Sequence, residues 1–125
     1  ATVRDLMHVG DAIPTIHHTA PMSDTLLMIS QKGFGVVGVT DQNDYLTGIV
    51  TDGDLRRHMD GLLDLTAAQV MTKSPRTVSP GALAEEAVAI MNDSKITCLF
   101  VVDPEGTDAP LGILHIHDCL RAGVA

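Results

Sequence analysis

Residues 46–57 read Leu-Thr-Gly-Ile-Val-Thr-Asp-Gly-Asp-Leu-Arg-Arg, and a related stretch, Leu-Gly-Ile-Leu-His-Ile-His-Asp-Cys-Leu-Arg, stands 64 positions later, at residues 111–121. In both stretches a glycine precedes two branched apolar residues and a polar residue, and an aspartate follows three positions later in a helix-like run. The equivalent positions are Gly48 and Gly112, Thr51 and His115, Asp54 and Asp118, and Arg57 and Arg121. A chain built twice from one unit, with polar residues at each strand-to-helix junction, favours ligand binding at two related sites over a single catalytic cleft.

The repeat covers nearly the whole chain. Asp5-Leu6-Met7 matches Gln69-Val70-Met71 at the same offset, and residues 35–41 match residues 97–103 at an offset of 62. The register slips in the longer turn at residues 104–110. Since there are only two copies of about 60 residues, a closed pseudo-symmetric pair fits better than a solenoid. We place the first copy at residues 1–62 and the second at residues 63–125.

Hydrophobic periodicity predicts the order β-α-β-β-α in each copy, an α+β fold with pseudo-two-fold symmetry. Short helices are expected at residues 2–7 and 66–71. In the first copy, Ser23 or Asp24 is expected to cap a helix that runs to Lys32 and ends at Gly33. The remaining predicted elements are strands at residues 13–16, 36–40, 46–51, 97–103 and 111–115, and helices from residue 52 or 54 to 59, from 82 to 95, and from 116 to 122.

Composition excludes several classes of function. The net charge of −8 argues against a nucleic-acid surface, which needs clustered lysine and arginine, but not against a small phosphorylated ligand. No apolar run is long enough to span a membrane. Cys98 and Cys119 show no metal-binding or redox spacing, so we expect two buried thiols in a reducing cytosol and place the protein in the cytoplasm. Because the chain starts at Ala1, without an initiator methionine, we expect it to be part of a longer protein.

The repeated unit resembles the cystathionine-β-synthase (CBS) domain, and the chain resembles a CBS pair over residues 3–122. The signatures are Gly48 to Asp54 and Gly112 to Asp118, with the Asp-Leu-Met and Gln-Val-Met openings. A narrower resemblance, to the C-terminal CBS pair of arabinose 5-phosphate isomerases, rests on residues 51–57, 114–118 and 120–124. It implies a preceding sugar isomerase domain, absent from this chain, that interconverts ribulose 5-phosphate and arabinose 5-phosphate for the octulosonate sugar of lipopolysaccharide.

Asp54 and Asp118 are the central candidates for ligand binding. A carboxylate in the first turn of a helix can accept hydrogen bonds from a ribose diol, or it can serve only as a helix N-cap. The CBS resemblance implies the ribose role for the aspartates and a phosphate role for Thr51. Gly53 lets the backbone approach a ligand closely. Gly48 and Gly112 open the two signatures and are the other two glycines that we expect at the ligand sites.

Arg57 and His115 are further candidates for ligand binding, and each has an alternative role. Arg57 can reach a phosphate or form an ion pair with Asp60 or Asp64. His115 departs from the hydroxyl residue usual in CBS domains; its imidazole can donate to phosphate best when it is protonated. With His117 it also suggests a metal, but two ligands without a third are a weak signal, and we assign no metal and no cofactor.

No catalytic constellation emerges from the sequence, and we expect no catalysis by this chain alone. We expect a regulatory module that binds a nucleotide or nucleotide-sugar and biases the attached isomerase domain. Its apolar helices predict a homodimer, the commonest closed assembly. The alternative is a structural or oligomerisation module whose two sites stay empty.

Overall fold

Two sheets organise the chain in this computed structural model, which describes residues 1–124. The chain divides into two compact units. The central unit is Pro14–Pro75, and the terminal unit combines Ala1–Ile13 with Arg76–Ala125. The N-terminal segment therefore packs with the second copy of the repeat.

The central unit contains a four-stranded sheet of order β1-β2-β3-β4. Strand β1 is parallel to β2, and the other neighbours are antiparallel. The elements are β1 (Thr15–His17), α2 (Met22–Lys32), β2 (Val36–Thr40), β3 (Leu46–Thr51), α3 (Asp52–Arg57), a 3-10 turn (Leu62–Asp64), α4 (Ala67–Val70) and β4 (Thr72–Lys73).

The terminal unit repeats this arrangement around a three-stranded sheet of order β5-β6-β7. Its elements are α1 (Val3–Leu6), a 3-10 turn (Gly10–Ala12), β5 (Thr77–Val78), α5 (Ala84–Ser94), β6 (Cys98–Val101), β7 (Gly112–His115) and α6 (Ile116–Arg121). In place of a fourth strand, His8 forms a single antiparallel bridge with Ile113. Thr72 pairs with Ile49 at the equivalent positions of the central unit.

Each unit has its own aliphatic core, because one face of each sheet is covered by its helices. The central core is formed by Met22, Val37, Val39, Val50, Ala67 and Val70. The terminal core is formed by Val3, Val78, Ala87, Met91, Leu99, Val101, Leu114 and Cys119. All five residues of β2 are buried, whereas β3 alternates between buried and half-buried positions.

The predicted α+β fold and the order β-α-β-β-α are confirmed in both units. The predicted bounds of β2 and β3 match the structure, and Gly33 ends α2 in the left-handed conformation, at φ 79°. The predicted cap of α2 was wrong: its N-cap is Pro21, and neither Ser23 nor Asp24 caps it. The helix begins earlier because Met22 is fully buried and the Pro21 carbonyl accepts the Thr25 hydroxyl at 3.1 Å.

The two longest helices, α2 and α5, have 11 residues each. Within residues 1–124, no helix has both the length and the apolar character needed to cross a membrane.

Candidate functional site

Asp54 lies in the first turn of α3, and its side chain is almost fully buried, with the residue 1% exposed. Its Oδ2 accepts the Thr51 amide at 2.8 Å and the Thr51 hydroxyl at 3.0 Å. Its Oδ1 accepts the Thr72 hydroxyl and the Arg57 guanidinium, both at 2.5 Å. Since a carboxylate offers about four lone-pair positions, these four donors saturate Asp54 within the protein.

Asp118 occupies the equivalent setting in the terminal unit and is 7% exposed. Its Oδ2 accepts the His115 amide at 2.9 Å, and its Oδ1 accepts the Arg121 guanidinium at 2.5 Å. The Nε2 of His8 lies 3.0 Å from Oδ1 and 3.1 Å from Oδ2. The two aspartates therefore have equivalent surroundings, each within its own unit.

Thr72 and His8 are site residues that the sequence analysis missed. They occupy equivalent positions of the repeat, and each contacts the aspartate of its own unit. The signal was present, because the matched Asp-Leu-Met and Gln-Val-Met segments each end one residue before His8 and Thr72. The polarity of these two residues could have shown that they belong with the junction aspartates.

The aspartates were predicted to be either helix N-caps or ligand contacts. The N-cap alternative was wrong, because another residue, three positions earlier in each unit, is the N-cap. The N-cap of α3 is Thr51 and that of α6 is His115, while Asp54 and Asp118 stand at the third helical position of a capping box. In this motif the side chain at the third position accepts the backbone N–H of the cap residue. Each aspartate therefore ties the end of a strand to the helix that follows it.

Hydrogen bonding keeps both aspartates ionised. Burial by itself raises the pKa of Asp54, but the donors Thr72, Thr51 and Arg57 outweigh it and hold the pKa below its ordinary value. At Asp118 burial also raises the pKa, and the His115 amide, His8 and Arg121 together lower it. Both sites thus present a charged carboxylate near neutral pH.

Arg57 pairs with Asp54 across one turn of α3, and Arg121 pairs with Asp118 in the same way on α6. Arg57 was expected to pair with a phosphate, Asp60 or Asp64. In the structure it pairs with Asp54 instead, because Asp54 lies three residues before Arg57 on the same face of the helix. The Arg57 side chain is 63% exposed, so its guanidinium covers Asp54 from the solvent side. The neighbouring Arg56 pairs with Asp52, and both side chains are exposed.

The candidate glycines have packing explanations. A β-carbon at Gly48 would lie 2.5 Å from the Met71 sulfur and 2.8 Å from the Thr72 carbonyl oxygen. A β-carbon at Gly112 would meet the Met7 sulfur at 2.7 Å and the His8 carbonyl oxygen at 2.9 Å.

A β-carbon at Gly53 would come within 3.3 Å of the Arg57 guanidinium. Gly48 and Gly112 therefore allow the segments that carry Thr72 and His8 to approach their aspartates, and Gly53 leaves room for Arg57. Direct ligand contact by the three glycines stays a prediction.

The two histidines of the second signature lie at the end of β7 and in α6. Their ring centroids are 4.5 Å apart, and the Nδ1 of His115 accepts the His117 amide at 3.0 Å. Burial, followed by the neighbouring His117, Arg121 and His8, lowers the pKa of His115 against the opposing effect of Asp118. Among residues 1–124, no three His, Cys, Asp or Glu side chains form a group able to hold a metal ion.

Both cysteines are reduced thiols. The expectation of two buried thiols holds for Cys119, whereas Cys98 is half-buried because it lies at the start of β6. Burial raises the pKa of the Cys98 thiol to about 11 and also raises that of Cys119. A thiol with a raised pKa is a poor nucleophile.

Comparison with known proteins identifies the family. The CBS domain model matches residues 3–61 and again residues 67–125. The arabinose 5-phosphate isomerases KdsD of Pseudomonas aeruginosa and Escherichia coli K12 are 45% and 46% identical to the chain over 125 residues. These alignments cover 98% of the chain but only 38% and 37% of the two isomerases, so the chain spans less than two-fifths of their length.

Solved structures agree with this assignment. CBSX2, a CBS-pair protein from Arabidopsis thaliana, has been solved in complex with AMP. That complex superposes with a TM-score of 0.83 at 28% identity, covering 98% of this chain and 96% of that one. The chain therefore belongs to the CBS domain family, as a tandem pair similar in sequence to the CBS region of arabinose 5-phosphate isomerases.

Proposed function

We propose that this CBS pair is the regulatory ligand-binding module of an arabinose 5-phosphate isomerase. It binds a nucleotide or nucleotide-sugar and biases a sugar isomerase domain elsewhere in the parent chain. That domain interconverts ribulose 5-phosphate and arabinose 5-phosphate for lipopolysaccharide synthesis in the cytoplasm. The observation that carries the proposal is a buried, ionised aspartate held by equivalent partners in both units, within a chain 45% identical to such an isomerase.

The four donors on Asp54 suggest how a ligand enters the central site. A ribose diol can donate to Asp54 only if it replaces one or more donors, because both carboxylate oxygens are already saturated. Arg57 is the donor best placed to leave, since its side chain is mostly exposed, whereas the Thr51 amide is part of the capping box. The released guanidinium can then bind the phosphate of the same ligand, for which arginine is well suited.

The role of Thr51 follows from the same exchange. In the structure its hydroxyl donates to Asp54 and accepts the Asp54 amide at 3.4 Å. When a diol occupies Asp54, this hydroxyl can turn and donate to the ligand phosphate. The relatives support such a ligand, because CBSX2 binds AMP with the same fold.

Exposed apolar side chains favour a second candidate function, the assembly of subunits. Leu27, Met59 and Leu63 are all largely exposed, and Met59 and Leu63 line a cavity of about 470 Å³ together with Leu26, Gly61, Leu62 and Asp64. Contiguous exposed apolar surface commonly marks a protein interface. In this alternative the chain forms a homodimer that joins isomerase subunits, and both ligand sites stay empty.

A thermal-shift panel distinguishes the two functions. The panel contains adenine and cytidine nucleotides, nucleotide-activated sugars and sugar phosphates. A ligand that binds the folded state stabilises it by about 2.7 kcal/mol at a hundredfold excess over the dissociation constant, so the melting temperature rises with ligand concentration. If no member of the panel shifts the melting temperature, ligand regulation is refuted and the assembly function remains.

A matched pair of variants locates the binding. Asp54→Asn keeps the shape of the side chain but removes the charge, and we expect a ten- to hundredfold loss of affinity, about 1.5–3 kcal/mol. Asp52→Asn is the control, because Asp52 lies on the same helix but is exposed and pairs with Arg56. Calorimetric titration that finds equal affinities for Asp54→Asn and Asp52→Asn would place the ligand elsewhere.

A further inference from the structure

The two aspartate sites differ at the same two positions of the repeat. Asp54 is held by the hydroxyls of Thr51 and Thr72, whereas the residues at the equivalent positions around Asp118 are His115 and His8. The arginine is retained in both sites. Two hydroxyl residues in one unit are thus exchanged for two imidazoles in the other.

This exchange changes how each site responds to pH. In the central unit the charges of Asp54 and Arg57 compensate each other, and threonine does not ionise near neutral pH. In the terminal unit Asp118 and Arg121 compensate in the same way, but histidine can gain a proton between pH 5 and 8. The terminal site therefore becomes more positive as the pH falls, through an imidazole that contacts the aspartate carboxylate itself. In the central unit the imidazole of His58 instead contacts the backbone carbonyl of Asp54, at 2.9 Å from Nδ1.

Of the two imidazoles, His8 is the one placed to carry this charge. His115 uses Nδ1 to accept the His117 amide, so protonation at Nδ1 would break that hydrogen bond. His8 directs Nε2 at both oxygens of Asp118, and a protonated ring keeps this contact and turns it into an ion pair. The His8 side chain is 39% exposed, so the charge it gains also faces solvent.

Several other ionisable groups surround this cluster. His115, His117 and Arg121 approach it from β7 and α6, and Cys98 approaches from β6 as a neutral thiol. On the N-terminal segment, Asp5 accepts the Thr2 amide, and that segment also carries Arg4 and Asp11. Asp118 is the carboxylate that acts on His115 and opposes the lowering of its pKa.

We propose that His8 makes the terminal site selective for an anionic, phosphate-bearing ligand, which binds more tightly as the pH falls, and that the dependence on pH is weaker at the central site, whose carboxylate is held by hydroxyls. The anion contacts Arg121 and His8 on the exposed side of the cluster. This inference rests on the proposed function of the two junctions as ligand sites, and it assigns them different ligand preferences. The chain would then respond to two signals, the concentration of its ligand and the pH.

NMR of the histidine ring protons tests the inference on the whole chain. AMP and inorganic pyrophosphate are titrated separately at about pH 6 and about pH 8, with the His8 signal assigned through His8→Gln. Because uptake of one proton can contribute up to about tenfold per pH unit, we expect pyrophosphate to bind at His8 roughly three- to tenfold more tightly at the lower pH. In His8→Thr, which installs the hydroxyl side chain of the central unit, and in His8→Gln, this dependence disappears. His17→Gln is the control, since His17 lies in the central unit and bonds to Thr19.

The outcomes separate this inference from the proposed function. If AMP binds the central site but neither probe moves the His8 signal at either pH, the inference is refuted and the proposed function stands. If pyrophosphate binds at His8 with the expected pH dependence but no nucleotide binds the chain, the inference stands and the nucleotide function is refuted. Equal affinity of the His8 site at both pH values, or a pH dependence that persists in His8→Thr and His8→Gln, also refutes the inference.

Discussion

Replacing Gly48 with alanine is expected to destabilise the central unit through packing. The added β-carbon would lie 2.5 Å from the Met71 sulfur and 2.8 Å from the Thr72 carbonyl oxygen, whereas favourable contacts begin near 3.5 Å. Met71 has a flexible side chain and can move aside. The Thr72 carbonyl cannot move alone, because β4 pairs with β3 through Thr72 and Ile49.

The magnitude follows from these distances. Forcing one extra carbon into a packed site costs about 1–3 kcal/mol. Displacing Thr72 also weakens its hydrogen bond to Asp54, worth about 1.5–3 kcal/mol because the acceptor is charged. The lower unfolded-state entropy of alanine offsets about 0.4–1 kcal/mol. We therefore expect a net loss of about 1.5–5.6 kcal/mol, which lowers the melting temperature of a domain of this size by roughly 6–22 °C.

Urea and thermal denaturation of three variants measures this effect. Gly112→Ala is the equivalent change in the terminal unit, where the β-carbon would meet the His8 carbonyl oxygen at 2.9 Å, and we expect a similar loss. Gly81→Ala is the control, because no atom lies within 4 Å of its β-carbon position and its φ is not positive. If Gly48→Ala were as stable as Gly81→Ala, close approach of β3 and β4 would not explain the glycine, and ligand contact would be the better explanation.

The remaining predictions concern the central carboxylate, the thiols and the assembly. The folded-state pKa of Asp54 is lowered, so the stability it contributes is present above the ordinary value of 3.8 and is lost as the pH falls through the lower folded value. Asp54→Asn should therefore be less stable than the wild type at neutral pH, with the difference shrinking below about pH 4, while Asp52→Asn, as an exposed control, shows neither effect in acid denaturation. Thr72→Val removes one donor to the buried carboxylate and should cost about 1–3 kcal/mol in urea denaturation; a loss under about 0.5 kcal/mol would contradict the contact. Burial raises the pKa of Cys98 to about 11 and also raises that of Cys119, so an aromatic disulfide reagent should label the native chain far more slowly than the urea-unfolded chain, and equal rates would refute this. Light scattering should give the mass of a homodimer, and a monomer at every concentration tested would contradict the assembly proposal.

Local sequence signals predicted most of the secondary structure. The β-branched run at residues 46–51 and the glycine at residue 33 have short-range causes, namely strand propensity and the left-handed helix end. The start of α2 was misplaced, because burial of Met22 outweighed the capping preference of Ser23 and Asp24. Strand β4 was missed because two exposed residues carry no hydrophobic pattern.

The sequence by itself determined the duplication, the α+β order of each copy and the placement of an aspartate at each junction, because all three are expressed in spacing along the chain. Only the tertiary structure decided which side chains hold those aspartates. His8 and Asp118 are separated by 110 residues, and Thr72 reaches Asp54 only because β4 pairs with β3. Such partners depend on how distant segments are brought together. Whether four donors saturate a carboxylate depends on distances of a few tenths of an ångström, and these are set by packing, which residue order does not encode.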